Sequence, residues 1–354
     1  MLRNLIDRAA KAERFIFLEY FILAEGKLWD ELEKILCAKA REGVEVKIIF
    51  DDFGNIKRFS GETIDRLREV GVEVFIFNPV HEYVNRLHFN YRDHRKIACI
   101  DGDVAYTGGV NIADEYANII ERFGYWKDSG VCLEGEGAWG LTASFIRMCV
   151  NLGGVMHNEH DYYRPHTPVK SEGFCQPFTD GPQNNPDNPA EDVFLQMISG
   201  ARRFLYITTP YFIPDESLMR ALCIAGDGGV DVRLMLPGKP DHWYADCVAE
   251  SYFGELVKHG VKVYRYTPGF LHGKSIMVDR VAAFVGSVNM DYRSFELDYE
   301  CGVMVYGAPM IESLLEDMDM IVDHSRLVTK EEWAKRSVLR RVFEPLLRLF
   351  AIWM

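Results

Sequence analysis

Two stretches of this sequence obey one ordered pattern. HRKIACIDGDVAYTGGVN (94–111) and HGKSIMVDRVAAFVGSVN (272–289) both read H-x-K-x4-D-x6-G-[GS]-x-N. The agreement continues on either side. KAERFIFLEYFI (11–22) is matched by GARRFLYITTPYFI (200–213), AREGVEVKIIFDD (40–52) by GDGGVDVRLMLPG (226–238), and LREVGVEVFIFNP (67–79) by LVKHGVKVYRYTP (256–268). Beyond the motif, DSGVCLEG (128–135) aligns with ECGVMVYG (300–307). So long an ordered series marks an internal duplication, and whatever one half folds into, the other must repeat.

In the matched blocks an amphipathic helix ends at glycine and a short valine-rich strand follows. Such alternation predicts an α/β fold, each half a mixed, mostly parallel β-sheet flanked by helices. With 354 residues, the chain is long enough for two cores. We expect one domain over 1–155 and a second over 191–330. The stretch 156–190 is rich in Gly, Pro, Asn and His and reads as an inter-domain connection, while 331–354 reads as a basic amphipathic segment.

The repeated motif carries the chemistry. Alternate side chains of a strand share a face, so His94 points with Lys96 and His272 with Lys274. An imidazole that can attack phosphorus, with an ammonium two positions on, makes a compact grip on one phosphate. One histidine cannot both attack and protonate the leaving alkoxide, so a single copy is half a site. Packing about a pseudo-two-fold axis would bring His94, Lys96 and Asn111 to the same phosphorus as His272, Lys274 and Asn289. The asparagines would donate to non-bridging oxygens, and neither metal nor cofactor is required.

Gly108, Gly109, Gly286 and Ser287 are expected to let the backbone approach the phosphate. Asp101 and Asp279 lie at an odd offset from their histidines, so an unbroken strand points them away. Their expected role is structural, at the turns Asp101-Gly102 and Asp279-Arg280. Each histidine also needs a partner on its second nitrogen, and Asp128 and Glu300 occupy equivalent positions downstream. Which acid serves which histidine is open at this level. His157, His160 and His166, beside Glu159 and Asp161, match no ligand spacing and read as solvated or hydrogen-bonded rather than as a metal site.

These residues resemble the phospholipase D superfamily, whose signature is the paired H-x-K-x4-D motif, and within it the bacterial cardiolipin synthases. The similarity is carried by HRKIACIDGDVAYTGGVNIADEY (94–116), YWKD (125–128), TPYFIPDE (209–216) and GSVNMDYRSFELDYE (286–300), and spans nearly the whole chain. It implies two phospholipase D-like domains with the active site at their interface. It also implies phosphatidyl transfer: His94 attacks one phosphatidylglycerol and releases glycerol, then the hydroxyl of a second resolves the phosphatidyl-histidine to cardiolipin. His272 would act as acid, then base. The implied partner is an anionic phospholipid surface, with the chain peripheral at the cytoplasmic face of the bacterial cell membrane. Lys127 stands where the family usually has arginine, keeping the charge without the bidentate fork. Asp298 stands where asparagine is usual, adding a carboxylate near the site. Many members carry two membrane-spanning helices upstream, whereas no run here approaches the ~20 apolar residues that a span needs.

A net charge of −13 opposes binding to polyphosphate backbones, so nucleic acid is not an expected partner and a nuclease is the weaker reading of these histidines. The eight cysteines are scattered without C-x-x-C and read as reduced thiols. MLRNLIDRAAKAERF is charged throughout, unlike a signal peptide. In KEEWAKRSVLRRVFEPLLRLFAIWM (330–354), basic residues alternate with Trp333, Phe343, Phe350 and Trp353. That pattern suits either an interfacial segment on anionic lipid or a helix packed on the second domain. A hydrolase or another phosphatidyltransferase is the alternative function, because water or another alcohol can resolve the same intermediate. No feature of the sequence sets an oligomeric state.

Overall fold

The computed structural model describes residues 1–80, 90–157, 161–170, 173–334 and 347–348. Six strands of the first half, β1 (Phe15–Tyr20), β2 (Glu45–Asp51), β3 (Glu73–Phe77), β4 (Lys96–Ile100), β5 (Val104–Gly108) and β6 (Gly130–Glu134), form a sheet in the order β3-β2-β1-β4-β5-β6. The second half repeats it with β7 (Phe204–Thr208), β8 (Asp231–Pro237), β9 (Lys262–Tyr266), β10 (Ser275–Val278), β11 (Ala282–Gly286) and β12 (Asp298–Tyr306), in the order β9-β8-β7-β10-β11-β12. The duplication in sequence is thus a duplication of topology.

Both sheets are mixed and flanked by helices, and their parallel part is confined to three strands each: β1–β2–β3 and β7–β8–β9. Helices Lys27–Arg41 and Gly61–Glu69 make the crossovers that parallel neighbours need in the first half, as Glu216–Asp227 and Trp243–Lys258 do in the second. The motif strands pair antiparallel, β4 with β5 and β10 with β11. The turns joining them are too short for a crossover, so the parallel share is smaller than the alternation suggested.

All six residues of β1 are buried, because helices cover one face and the other half covers the opposite one. The central core joins Phe15, Phe17 and Ile97 of the first sheet to Tyr206, Met277 and Val303 of the second. Each half keeps its own outer core beneath its helices.

Asp101 and Asp279 tie the motif to the start of the central strand. The Asp101 carboxylate accepts from the backbone N–H groups of Glu13, Arg14 and Phe15, and that of Asp279 from Arg202, Arg203 and Phe204. Both residues are left-handed, at φ 53° and 52°. Truncating Asp279 to alanine strands three donors, and a loss of about 2–4 kcal/mol is expected. It would be read as a lower denaturant midpoint at constant slope, with activity per folded molecule retained.

The connection carries structure that its composition hid. Phe174–Asp180 is a strand, antiparallel to β12 from Tyr306↔Phe174 to Glu300↔Asp180. It borders the sheet, where Pro177 is tolerated. The helix of the second half begins at Pro189, just before the expected boundary. His160 and Glu159 lie outside the described residues, as does most of 331–354. Of the C-terminal segment, Trp333 packs over Gly254, Leu347 touches the second core and the Arg348 guanidinium stacks 3.8 Å from the Tyr252 ring centroid. Among the described residues no helix is long and apolar enough to cross a membrane, and no two of the cysteines form a disulfide.

Candidate active site

The two motif histidines open on one cleft of about 780 Å³ between the halves, which Asn111 and Asn289 also line. Neither histidine lies within its strand, as simple alternation assumed. His94 sits in the break before β4, and His272 follows a short strand, Gly269–Leu271. Two short parallel ribbons hold these breaks across the interface. Arg92–Asp93 pairs with Asp298–Tyr299, and Tyr125–Lys127 pairs with Gly269–Leu271. The His94 amide therefore donates to the Tyr299 carbonyl at 2.9 Å, and the His272 amide to that of Lys127 at 2.6 Å.

Each of those carbonyls belongs to the residue just before a carboxylate, and this settles the pairing. Nδ1 of His94 lies 2.8 Å from Glu300 Oε1, and Nδ1 of His272 lies 2.7 Å from Asp128 Oδ2. Each half lends its acid to the other half's histidine. With the Nδ1 proton committed to a carboxylate, Nε2 of each neutral ring keeps its lone pair.

The lysines lie beneath, fully buried, and each ammonium donates to the carbonyl of its own histidine: Lys96 to His94, and Lys274 to His272 at 2.6 Å. Burial pushes Lys96 down to about 8, and burial with the neighbouring Lys96 charge pushes Lys274 down to about 7. Burial also lowers both histidines, His94 well below its usual range and His272 to about 4, with the lysine charges adding to the effect. Affinity for a phosphodiester anion should therefore weaken as pH rises through 7 to 8, as Lys274 and then Lys96 lose their protons. Bound anion favours the charged forms, so binding in that window takes up protons. Calorimetry with dimethyl phosphate, whose own charge is constant there, in buffers of different ionisation enthalpy reads both effects.

The two acids differ in state. Burial opposes ionisation of Asp128, but the charge and hydrogen bond of His272, with Lys274 and the Ser129 amide, hold it below the usual range. Burial pushes Glu300 up to about 7 despite Lys96. Its oxygens accept from the hydroxyls of Ser287 and Ser294.

Two of the four positions, Gly109 and Ser287, lie against these acids. A Cβ on Gly109 would stand 2.2 Å from Asp128 Oδ1, and Ser287, its counterpart, hydrogen-bonds Glu300. Gly108 and Gly286 pack against Gly130 and Gly302 on the neighbouring strands, where a Cβ would meet backbone at 2.4–2.5 Å. The asparagines diverge too. Asn111 accepts from the Ile22 amide at 3.0 Å and donates to the Tyr116 hydroxyl at 2.9 Å, so its amide hydrogens are partly committed, whereas the side-chain oxygen of Asn289 has no such partner.

Sequence reasoning missed three contributors. Tyr116 meets the His272 ring edge-on at 5.4 Å, Arg293 reaches Asp298 at 3.3 Å, and Asp241 enters the cleft from the β8 loop. Tyr116 falls in the quoted ADEY, while Asp241 has no sequence signal. Lys127 is drawn instead into an ion pair with Asp317. His94, Asp298 and Glu300 bring one ligand atom each within 4.8 Å of one another. Ser287, Ser294 and Arg293 already hold the two carboxylates, so the trio reads as part of a hydrogen-bond network.

A duplicated α/β fold with two carboxylate-backed histidines on one cleft defines an enzyme of the phospholipase D type. Residues 2–119 and 194–322 match the family described as cardiolipin synthase, PLD-like domain. A cardiolipin synthase of Halalkalibacterium halodurans is 37% identical over 342 residues, covering 96% of this chain and 67% of that one. Another, from Clostridium perfringens, is 36% identical over 361 residues, covering 99% and 74%. Phosphatidylserine synthase of Haemophilus influenzae shares the fold, with a TM-score of 0.71 at 16% identity over 99% of this chain and 89% of that one. The chain belongs to the cardiolipin synthase family of the phospholipase D superfamily and is a phosphatidyltransferase.

Proposed function

We propose that this chain makes cardiolipin from two molecules of phosphatidylglycerol. The carrying observation is the crossed pair of Nδ1–carboxylate contacts, which leaves two imidazole Nε2 atoms for one cleft. His94, which burial holds well below its usual range, is the neutral nucleophile. His272, backed by the ionised Asp128, is the group better able to carry a proton. His94 Nε2 bonds to phosphorus as the bond to the headgroup glycerol oxygen breaks, and His272 protonates that oxygen. The hydroxyl of the second phosphatidylglycerol then loses its proton to His272, its oxygen bonds to phosphorus, and the N–P bond breaks to free His94. The Lys96 and Lys274 charges favour the phosphate throughout.

An aromatic wall suits a lipid substrate: Phe21, Phe53, Phe123 and Trp126 line the cleft, and Phe53 is 57% exposed at its mouth. The chain works in this reading as a peripheral protein on anionic phospholipid at the cytoplasmic face. Incubation with phosphatidylglycerol vesicles, with and without chelator, tests it. Cardiolipin plus glycerol is expected in both. Phosphatidic acid as the sole product would mark a hydrolase, and strict metal dependence would overturn the mechanism.

A further inference from the structure

The cleft is symmetric in its phosphate-facing groups and asymmetric in its hydrogen-bond acceptors. Asn111 has its oxygen satisfied by its own half of the chain. Its counterpart Asn289 is 6% exposed, and its side-chain oxygen has no hydrogen-bond partner among the described residues. Asp298, 4% exposed, turns one oxygen towards Arg293 and leaves Oδ1 without a partner. Asp241 accepts from the Tyr211 hydroxyl at 2.6 Å through Oδ2, and its buried Oδ1 is likewise unpartnered. All three line the cleft, and all come from the second half. Among the described residues of the first half, no buried side-chain oxygen or nitrogen lining the cleft lacks a partner.

Buried acceptors without donors are rare in folded proteins. Three in residues that line one substrate cleft are acceptors that a bound donor group can satisfy. We propose that Asn289, Asp298 and Asp241 form a subsite for a polyhydroxylated alcohol, the glycerol headgroup of the acceptor lipid. The assignment rests on the transferase reading above and adds which wall reads the acceptor. A neutral polyol fits better than an ammonium group, because Arg293 beside Asp298, and the Lys274 charge within electrostatic reach of Asp241, already supply the positive charge. The three residues share their cleft with both histidines, including His272, which takes the acceptor's proton.

The test uses the full chain and three soluble phosphodiesters at one pH: glycerophosphoglycerol, glycerophosphoethanolamine and dimethyl phosphate. Wild type is expected to bind glycerophosphoglycerol most tightly of the three. In Asp298→Ala and in Asp241→Ala its advantage over dimethyl phosphate should fall about tenfold, while Asp298→Asn, which keeps an acceptor oxygen, should retain most of it. Asp241 lies in a loop outside the sheet, so that variant carries the test should Asp298→Ala not fold. An unchanged advantage in the alanine variants, or a wild-type preference for the ethanolamine ester, overturns the subsite. Cardiolipin formation is assayed separately. Selective polyol binding without cardiolipin would overturn the transferase reading alone, and cardiolipin formation with unaltered selectivity would overturn the subsite alone.

Discussion

His272→Ala is expected to stall the enzyme as a phosphatidyl adduct on His94. Attack by His94 expels an alkoxide, which without an acid leaves slowly, so the adduct forms at a reduced rate. Resolving it needs a base for the incoming hydroxyl, and the same residue is missing. Loss of a positioned acid–base group costs about 10²–10⁴ in rate, and here it acts in both steps, so turnover should fall by the upper end of that range or more. Mass spectrometry of the peptide containing His94 should find an acid-labile phosphatidyl group. His94→Ala should show none and no turnover. Full activity in His272→Ala, or an adduct mapped elsewhere, would sink the paired-histidine mechanism.

The second large effect is expected at Asp128, which lies in the other half of the chain from the histidine it holds. Asp128→Asn keeps the shape but replaces an anion by a neutral amide beside His272 Nδ1, which no longer favours the imidazolium or enforces its tautomer. A fall of about 10²–10⁴ in kcat is expected, with KM little changed. The sign of the pH effect follows from the charges. Asp128 is what raises the His272 pKa against burial and Lys274, so its removal lowers that pKa further. The limb of the pH–rate profile that reports protonated His272 should then move to lower pH. Glu300→Gln should cost less, because Glu300 is pushed up to about 7 and already tends towards its neutral form. Equal losses in the two variants, with no movement of either limb, would mean that the acids only position the rings.

These expectations separate what local sequence can carry from what it cannot. The repeated spacing of strand, helix and motif reappears as two sheets of one topology, because the period of apolar residues and the glycines at helix ends are local signals. Strand Phe174–Asp180 escaped notice because its pairing with β12 is a long-range contact and its proline and polar residues suit a border strand. The glycines of the motif were legible as close-approach positions, but not what approaches them. Only the fold brings Asp128 beside Gly109, or Glu300 beside Ser287.

Sequence alone therefore determined the duplicated α/β fold and the family, and it placed a histidine, a lysine and an asparagine at matching points of each half. Tertiary structure decided which acid serves which histidine. His94 and Glu300 are 206 residues apart, and the contact depends on a two-residue ribbon crossing the interface. It also broke the symmetry that the repeat promised, satisfying Asn111 within its own half while leaving Asn289, Asp298 and Asp241, which line the cleft, each with a buried oxygen that no described residue satisfies. The physical reason is the same in each case. Hydrogen-bond satisfaction is settled by neighbours in space, and a pattern along the chain carries no record of them.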